Sequence, residues 1–190
     1  MMRIAICGGI GSGKSFVTEI LRSLGAKVVV ADEVNAELLS DPAYVALIAN
    51  TFPTVVHNKV INKKELADII YRDESKRRLL MRLAHPRIYE RMFSKYPKES
   101  LVFYEIPLLS ESDKFFDRIW FVLSDVTTRI HRIVLRDNVS EEYAVRVIKL
   151  QQGEDELRDI ADELIDNSGD MDATCDKVKA LYYSILSQLS

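Results

Sequence analysis

The stretch Gly8-Gly9-Ile10-Gly11-Ser12-Gly13-Lys14-Ser15 constrains this chain more than any other segment. Its glycines let the backbone curl until successive N–H groups point inward, and a helix following at once adds the positive end of its dipole. Such a loop has to be delivered by a strand and continued by a helix, and both are legible. Ile4, Ala5, Ile6 and Cys7 form an unbroken apolar run of the kind found in parallel sheets buried on both faces. Val17, Ile20, Leu21 and Leu24 then recur at helical spacing, and Gly25 stands where a C-terminal cap belongs. Lys27 to Ala31, with three consecutive valines, reads as a second buried strand. The motif G-x-x-x-x-G-K-[ST] predicts a phosphate cradle formed by Gly9, Ile10, Gly11, Ser12, Gly13, Lys14, Ser15 and Phe16. Lys14 is expected to reach the β and γ phosphates of a nucleotide, and Ser15 to ligate Mg2+.

The residue that would work beside those phosphates follows from chain lengths. A helix over 14–24 runs back about 16 Å, and a strand over 27–31 returns about 16 Å, so the second strand ends level with the loop. The first residue past that end is Asp32. A carboxylate there could accept the proton of an attacking hydroxyl or orient the metal shell. Equally, Asp32 could cap a helix beginning at Glu33, as aspartate often does. The residues alone leave both readings open.

From Asp32 to about Tyr96 the pattern is helical, with pieces near 32–40, 42–52, 63–71 and 74–95, broken by Asp41-Pro42, Pro53 and the polar turn at His57-Asn58. This is too much helix for one crossover and reads as a helical lobe set on the core. Leu101 to Ile106 and Ile119 to Leu123 are two more apolar strands. Charge-rich helices are expected near 126–136 and 140–152, a short strand at Leu164-Ile165, and an amphipathic closing helix over 171–189. Strands alternating with helices predict an α/β fold with a mostly parallel sheet flanked by helices. At 190 residues the chain is long enough for one such core with a lobe or two inserted.

Composition excludes several function classes. With 47% hydrophobic and 29% charged residues the chain is an ordinary globular one. A net charge of −3 argues against nonspecific binding to a nucleic-acid backbone, so any anion must be held locally. No apolar run approaches the roughly 18 residues of a membrane span, and Ile4 to Cys7 is too short for a signal peptide, so a cytoplasmic protein with no membrane partner is expected. Cys7 and Cys175 stand in no metal-ligand or redox spacing. No Asn-Lys-x-Asp guanine-reading motif occurs, since Asn58-Lys59 is followed by Val60-Ile61, and no ABC-type signature is present. A GTPase or transport ATPase is thereby disfavoured, leaving a small kinase that moves a γ-phosphoryl group onto a small molecule.

Further along, the sequence resembles the dephospho-CoA kinase family, and the likeness runs over nearly the whole chain. The glycine loop matches that family's, and Ala31-Asp32 resembles its Asp-Ala-Asp strand end. His85-Pro86, preceded by Arg78-Leu79-Leu80, resembles a helix ending in His-Pro, and Pro107-Leu108-Leu109-Ser110-Glu111 resembles Pro-Leu-Leu-x-Glu. Arg132 and Arg136-Asp137 match the spaced arginines of the family's lid, Gln151 the glutamine after them, and Ala161-Asp162 with Ile165-Asp166-Asn167 a signature near the end. Departures are Val30 for an aspartate, Lys63 for an arginine, Cys7 for a threonine and Phe16 for a small hydroxyl residue. The resemblance implies phosphorylation of the ribose 3′-hydroxyl of dephospho-CoA by ATP, giving CoA and ADP, the last step of coenzyme A biosynthesis. It implies a P-loop kinase core (1–31, 101–125 and 160–190), a helical CoA-substrate lobe (32–100) and a helical lid (126–159), as a monomer or small homo-oligomer. Catalytic roles fall to Asp32, Lys14, Arg136 and Arg132; substrate contacts to Asp32, Lys63, His85, Pro107, Leu108 and Glu111.

Each of these has a plainer alternative. Arginines four apart on a helix are routinely solvated. A histidine before proline is often structural, and the basic cluster Lys76-Arg77-Arg78, Arg82 and Arg87 is mostly a solvated helix surface. Glu105 and Glu111 lie just past the third strand, where α/β sheets put ligand groups, yet either could be an ordinary loop carboxylate. Two other functions stay in view: a kinase of a different small molecule, which would carry a different substrate-reading set, and a non-catalytic nucleotide switch, which would lack Asp32 and the arginines.

Overall fold

The computed structural model describes residues 1–107, 113–151 and 154–189. They form two compact units, residues 1–29 with 98–190, and residues 30–97.

The first unit is built on a five-stranded sheet. Strand β1 (Met2–Cys7) leads through the glycine loop into α1 (Lys14–Ser23), and β2 (Lys27–Val30) follows. After the second unit come β5 (Leu101–Glu105), β6 (Arg118–Leu123), α6 (Val126–Asp137), α7 (Glu141–Leu150), α8 (Glu154–Ile160), β7 (Glu163–Asp166) and α9 (Met171–Leu189). The spatial order is β2-β5-β1-β6-β7, with β1 central and paired in parallel with β5 and β6, and β6 in parallel with β7. Ile4, Ala5, Ile6 and Cys7 have no exposed surface, as a central strand covered on both faces requires. Phe103 and Trp120 pack ring to ring on the neighbouring strands, 5.2 Å between centroids. Helix α1 stops where expected. Gly25 takes φ 87°, its N–H donates to Arg22, and the Ala26 N–H donates to Leu21, the paired bonds of a Schellman cap.

The second unit contains α2 (Ala31–Leu38), α3 (Pro42–Thr51), a hairpin of β3 (Val56–His57) and β4 (Val60–Ile61), α4 (Lys63–Arg72) and α5 (Glu74–Ser94). Asp41, Asn62 and Asp73 cap α3, α4 and α5 through side-chain oxygens that accept two backbone N–H bonds each.

Three local expectations change. The turn at His57-Asn58 is a hairpin, with Asn58 and Lys59 both at positive φ, 51° and 63°. Helix α5 runs through His85-Pro86 to Ser94, as the helical pattern over 74–95 predicts, so only the likeness to a helix ending in His-Pro is not realised; Pro86 is exposed, so the backbone bond it forfeits leaves a carbonyl accessible to water. The expected helix over 140–152 ends at Leu150, and a separate short helix, α8, follows. Among the described residues no helix is long and apolar enough to cross a membrane.

Candidate active site

The glycine loop lies at the carboxyl end of β1, and the residues that hold it come from α6, which follows β6, and from the residue just past β7. Its carbonyl groups decide its shape. Ile10 C=O accepts from Arg129 Nε at 2.8 Å. Ser12 C=O accepts from Asn167 Nδ2 at 2.9 Å and from Arg132 Nη1 at 3.2 Å, and Gly11 C=O lies 3.4 Å from the same Arg132 nitrogen. Three consecutive carbonyls are thus turned out toward α6 and the end of β7. In a trans peptide the C=O and the following N–H point opposite ways, so anchoring these carbonyls aims the Gly11, Ser12 and Gly13 amides the other way. Ser12 N–H closes the curl by donating to Gly9 C=O at 3.1 Å. Gly11 and Gly13 need to be glycine: both have positive φ, and a Cβ at Gly13 would overlap the Asn167 amide.

Lys14 and Ser15 open α1 directly behind the loop. Lys14 Nζ donates to Gly8 C=O at 2.8 Å and Gly9 C=O at 3.3 Å, bending back along the loop. Phe16 is half-buried on the same turn. The Ser12 hydroxyl is buried and has no hydrogen-bond partner among the described residues, a donor suited to a phosphate oxygen. A cavity of about 330 Å3 opens beside the loop, bordered by Gly9, Ser12, Ser124, Arg129, Glu154 and Arg158; its size is that of small-molecule sites. An exposed Ser15 hydroxyl at the helix start is a hard oxygen ligand, and no cluster of three or more His, Cys, Asp or Glu side chains among the described residues could hold a metal. This donor set fits Mg2+ carried in on nucleotide phosphates, since that ion keeps most of its shell as water and phosphate oxygen.

Glu105, the last residue of β5, is half-buried, and its carboxylate lies 2.9 Å from the Thr18 hydroxyl one turn along α1 from Ser15. Beneath the loop, burial pushes the Cys7 thiol up to about 12, Lys14 offsetting this in part. Pro107 is exposed two residues beyond β5; Leu108 and Glu111 lie outside the described residues.

The arginines of α6 separate. Arg129, Arg132 and Arg136 share one face of α6, at spacings of three and four. Arg129 is buried, 6% exposed, and forks both oxygens of Glu154; Arg132 reaches the loop and the Asn167 carbonyl; Arg136 is exposed and forks Asp137 instead. Sequence reasoning singled out Arg132 and Arg136 and missed Arg129 and its partner Glu154. The common helix face was the available signal, but the partner lies 25 residues away.

In the second unit, Asp32 sits in the first turn of α2, exposed, with no hydrogen bond or ion pair among the described residues. Residue Val30 holds the helix N-cap position, and no side-chain cap bond is made, so the capping alternative for Asp32 is not realised. Lys63 is exposed at the first turn of α4. His85 is half-buried in α5, edge-on to Tyr89 at 6.2 Å, and burial holds its pKa below the usual 6.5, favouring the neutral ring.

Comparison with known proteins places this geometry in context. Residues 2–173 match the family described as dephospho-CoA kinase. A dephospho-CoA kinase of Halalkalibacterium halodurans is 34% identical over 183 residues, covering 91% of each chain. A solved structure from Thermus thermophilus, TT1252, superposes with a TM-score of 0.83 at 26% identity, over 100% of this chain and 98% of the other. The dephospho-CoA kinase from Campylobacter jejuni superposes with a TM-score of 0.72 at 22% identity, over 99% and 98% of the two chains, a likeness of fold.

Proposed function

The chain belongs to the dephospho-CoA kinase family, and from that premise we propose that it carries the γ-phosphoryl group of ATP to the ribose 3′-hydroxyl of dephospho-CoA, the last step of coenzyme A biosynthesis. The observation that carries the reading is the loop with its Ile10, Gly11 and Ser12 carbonyls held outward, because the opposing Gly11 and Gly13 amides then face an anion without having to reorganise, while the Ser12 amide closes the curl onto Gly9.

In this reading Gly9 to Phe16 hold the phosphates, and Lys14 leaves the Gly8 and Gly9 carbonyls for the β and γ phosphates. Ser15 and the nucleotide's own oxygens would hold Mg2+, which when bound neutralises charge on the phosphates. The 3′-oxygen attacks the γ phosphorus, the bond to the β–γ bridging oxygen breaks, and ADP leaves. Asp32, which has no competing partner among the described residues, takes the proton of the attacking hydroxyl. Arg132 and Arg136 meet the charge that spreads over the transferring group. The lobe 32–100 receives dephospho-CoA, with Lys63, His85 and Pro107 as contacts and Leu108 and Glu111 completing the set. The segment 126–159 acts as the lid. The setting is cytoplasmic, and the chain works as a monomer or small homo-oligomer.

The test is ADP release with ATP and Mg2+ against dephospho-CoA, adenosine, a nucleoside monophosphate and shikimate. Turnover with dephospho-CoA alone, lost in a folded Lys14→Ala protein, is the expected result. Preference for any other acceptor would overturn the assignment of substrate, and an undiminished Lys14→Ala enzyme would overturn the assignment of the loop.

A further inference from the structure

We infer that Arg129, through its pairing with Glu154, is a positioning residue that sets the tip of the glycine loop for nucleotide binding. The inference rests on the kinase reading above and deepens it. A guanidinium taken almost wholly out of water is costly unless its donors are all met. All three guanidinium nitrogens of Arg129 have a partner. Nη1 and Nη2 fork the two Glu154 oxygens at 2.8 and 2.7 Å, and Nε donates to Ile10 C=O at 2.8 Å. Gln151 Oε1 accepts the Ile10 N–H at 2.6 Å and lies 3.5 Å from Arg129 Nη2.

Both polar groups of Ile10 are therefore held from the stretch 129–154, the carbonyl by Arg129 and the amide by Gln151. Ile10 sits between two glycines, which by themselves would let its flanking peptides rotate freely. Fixing the Ile10 carbonyl fixes the peptide plane it shares with Gly11, and with it the direction of the Gly11 N–H. Among the described residues Glu154 makes no hydrogen bond to Ile10; it acts by keeping the guanidinium in place. Without that carboxylate the buried cation would be left unpaired and would withdraw toward water, taking the Nε bond with it. The pair also packs on Gly9, where a Cβ would overlap the Glu154 carboxylate and the guanidinium together, so the loop backbone approaches as closely as glycine permits. A fork explains why the residue is arginine: a lysine could pair with Glu154 but could not also supply Nε to the Ile10 carbonyl.

The test compares Glu154→Gln, Arg129→Lys and the double variant with wild type. ATP affinity is measured by equilibrium titration without acceptor, alongside kcat, KM for each substrate, thermal midpoint, and hydrogen exchange of the peptide covering the loop. Each single variant is expected to weaken ATP about tenfold, the loss of one charge-assisted hydrogen bond, with KM for dephospho-CoA changed less than twofold. The double variant should be no weaker than the worse single one, because the two residues form one linkage, and the loop amides should exchange faster in all three. A lowered thermal midpoint with unchanged ATP affinity and unchanged loop exchange would make the pair a structural ion pair only and overturn the inference. Because Glu154→Gln leaves the arginine and the volume in place, it remains readable where Arg129→Lys folds poorly. If wild type bound ATP but ignored dephospho-CoA, the proposed acceptor would fall while the titration still decided the role of Arg129; a wild type that bound no ATP would overturn both.

Discussion

Asn167 and Ser12, 155 residues apart, are joined by a 2.9 Å hydrogen bond from the asparagine amide to the serine carbonyl, and both are almost wholly buried. The bond ties the end of β7 to the glycine loop. Asn167 is held in its turn by its own N–H, which donates to Leu123 at 2.8 Å, and by the Thr174 hydroxyl 3.4 Å from its Oδ1. Asn167→Asp should therefore be far worse than its size suggests. It replaces a donor with an acceptor facing a carbonyl oxygen in a dry site. A loss of roughly 2–3 kcal/mol in unfolding free energy is expected, together with weaker ATP binding, and Asn167→Ala should cost less. Chemical denaturation and ATP titration check this; equal stability for wild type and the aspartate variant would mean the bond is not made in solution.

How far the sequence alone reached is explained by the range of the interactions involved. The strand Ile4 to Cys7, the loop and the cap at Gly25 are local, and each was legible from residues a few positions apart. The hairpin at Asn58-Lys59 was not, because a lysine at positive φ is a weak turn signal beside the usual glycine. Helix α8 is only seven residues long, too short for a period to show. The bonds of Arg129, Arg132 and Asn167 to the loop span 119 to 155 residues, and no spacing rule covers that distance. Ala161-Asp162 shows a related gap between resemblance and role. The Asp162 side chain accepts the Ile119 N–H at 2.7 Å and its own N–H donates to Ile119 at 2.9 Å, so that part of the signature aligns β6 with β7.

Asp32→Asn separates proton transfer from binding. The carboxylate is exposed and unpaired among the described residues, so the amide costs the fold little. If Asp32 accepts the proton, kcat should fall by about 10²–10⁴ while ATP affinity stays within a few-fold. Steady-state kinetics beside ATP titration would show it, and a kcat within threefold of wild type would remove Asp32 from the chemistry.

Cys7 provides a pH test of the packing under the loop. Its thiol has no exposed surface, and burial raises its pKa from an ordinary 9.0 to about 12. The native state then holds the proton more tightly than the unfolded chain does. This contribution to stability is fully present below about pH 9 and is lost as pH rises from there toward 12. Unfolding free energy measured at pH 8 and pH 10 should fall more for wild type than for Cys7→Ala. In the native protein at pH 8, where about one Cys7 in 10⁴ would be thiolate, iodoacetamide should modify Cys175 and spare Cys7, denaturation exposing both. Rapid native modification of Cys7, read by peptide mass, would contradict the buried placement.

Arg132 and Arg136 should differ in kind, although they lie on one helix face. Arg132 donates to Ser12 and Asn167 carbonyls and so supports the loop before any nucleotide arrives. Arg136 is 60% exposed on its side chain and, among the described residues, bound only to the neighbouring Asp137, an exchangeable surface pair that costs little to break. Arg132→Ala is thus expected to lower both thermal stability and ATP affinity. Arg136→Ala should leave both almost unchanged and instead lower kcat, by up to about 10³ if the guanidinium swings onto the γ-phosphoryl oxygens as charge develops there. Arg136→Lys should recover only part of that loss, since an ammonium cannot span two phosphate oxygens. Asp137→Ala gives the converse test: freed from its partner, Arg136 should work no worse than in wild type. Single-turnover phosphoryl transfer decides between the roles, because it reads the chemical step apart from binding and product release. Unchanged single-turnover rates in Arg136→Ala would return that residue to the solvated surface and leave Arg132 as the arginine of this helix face that matters.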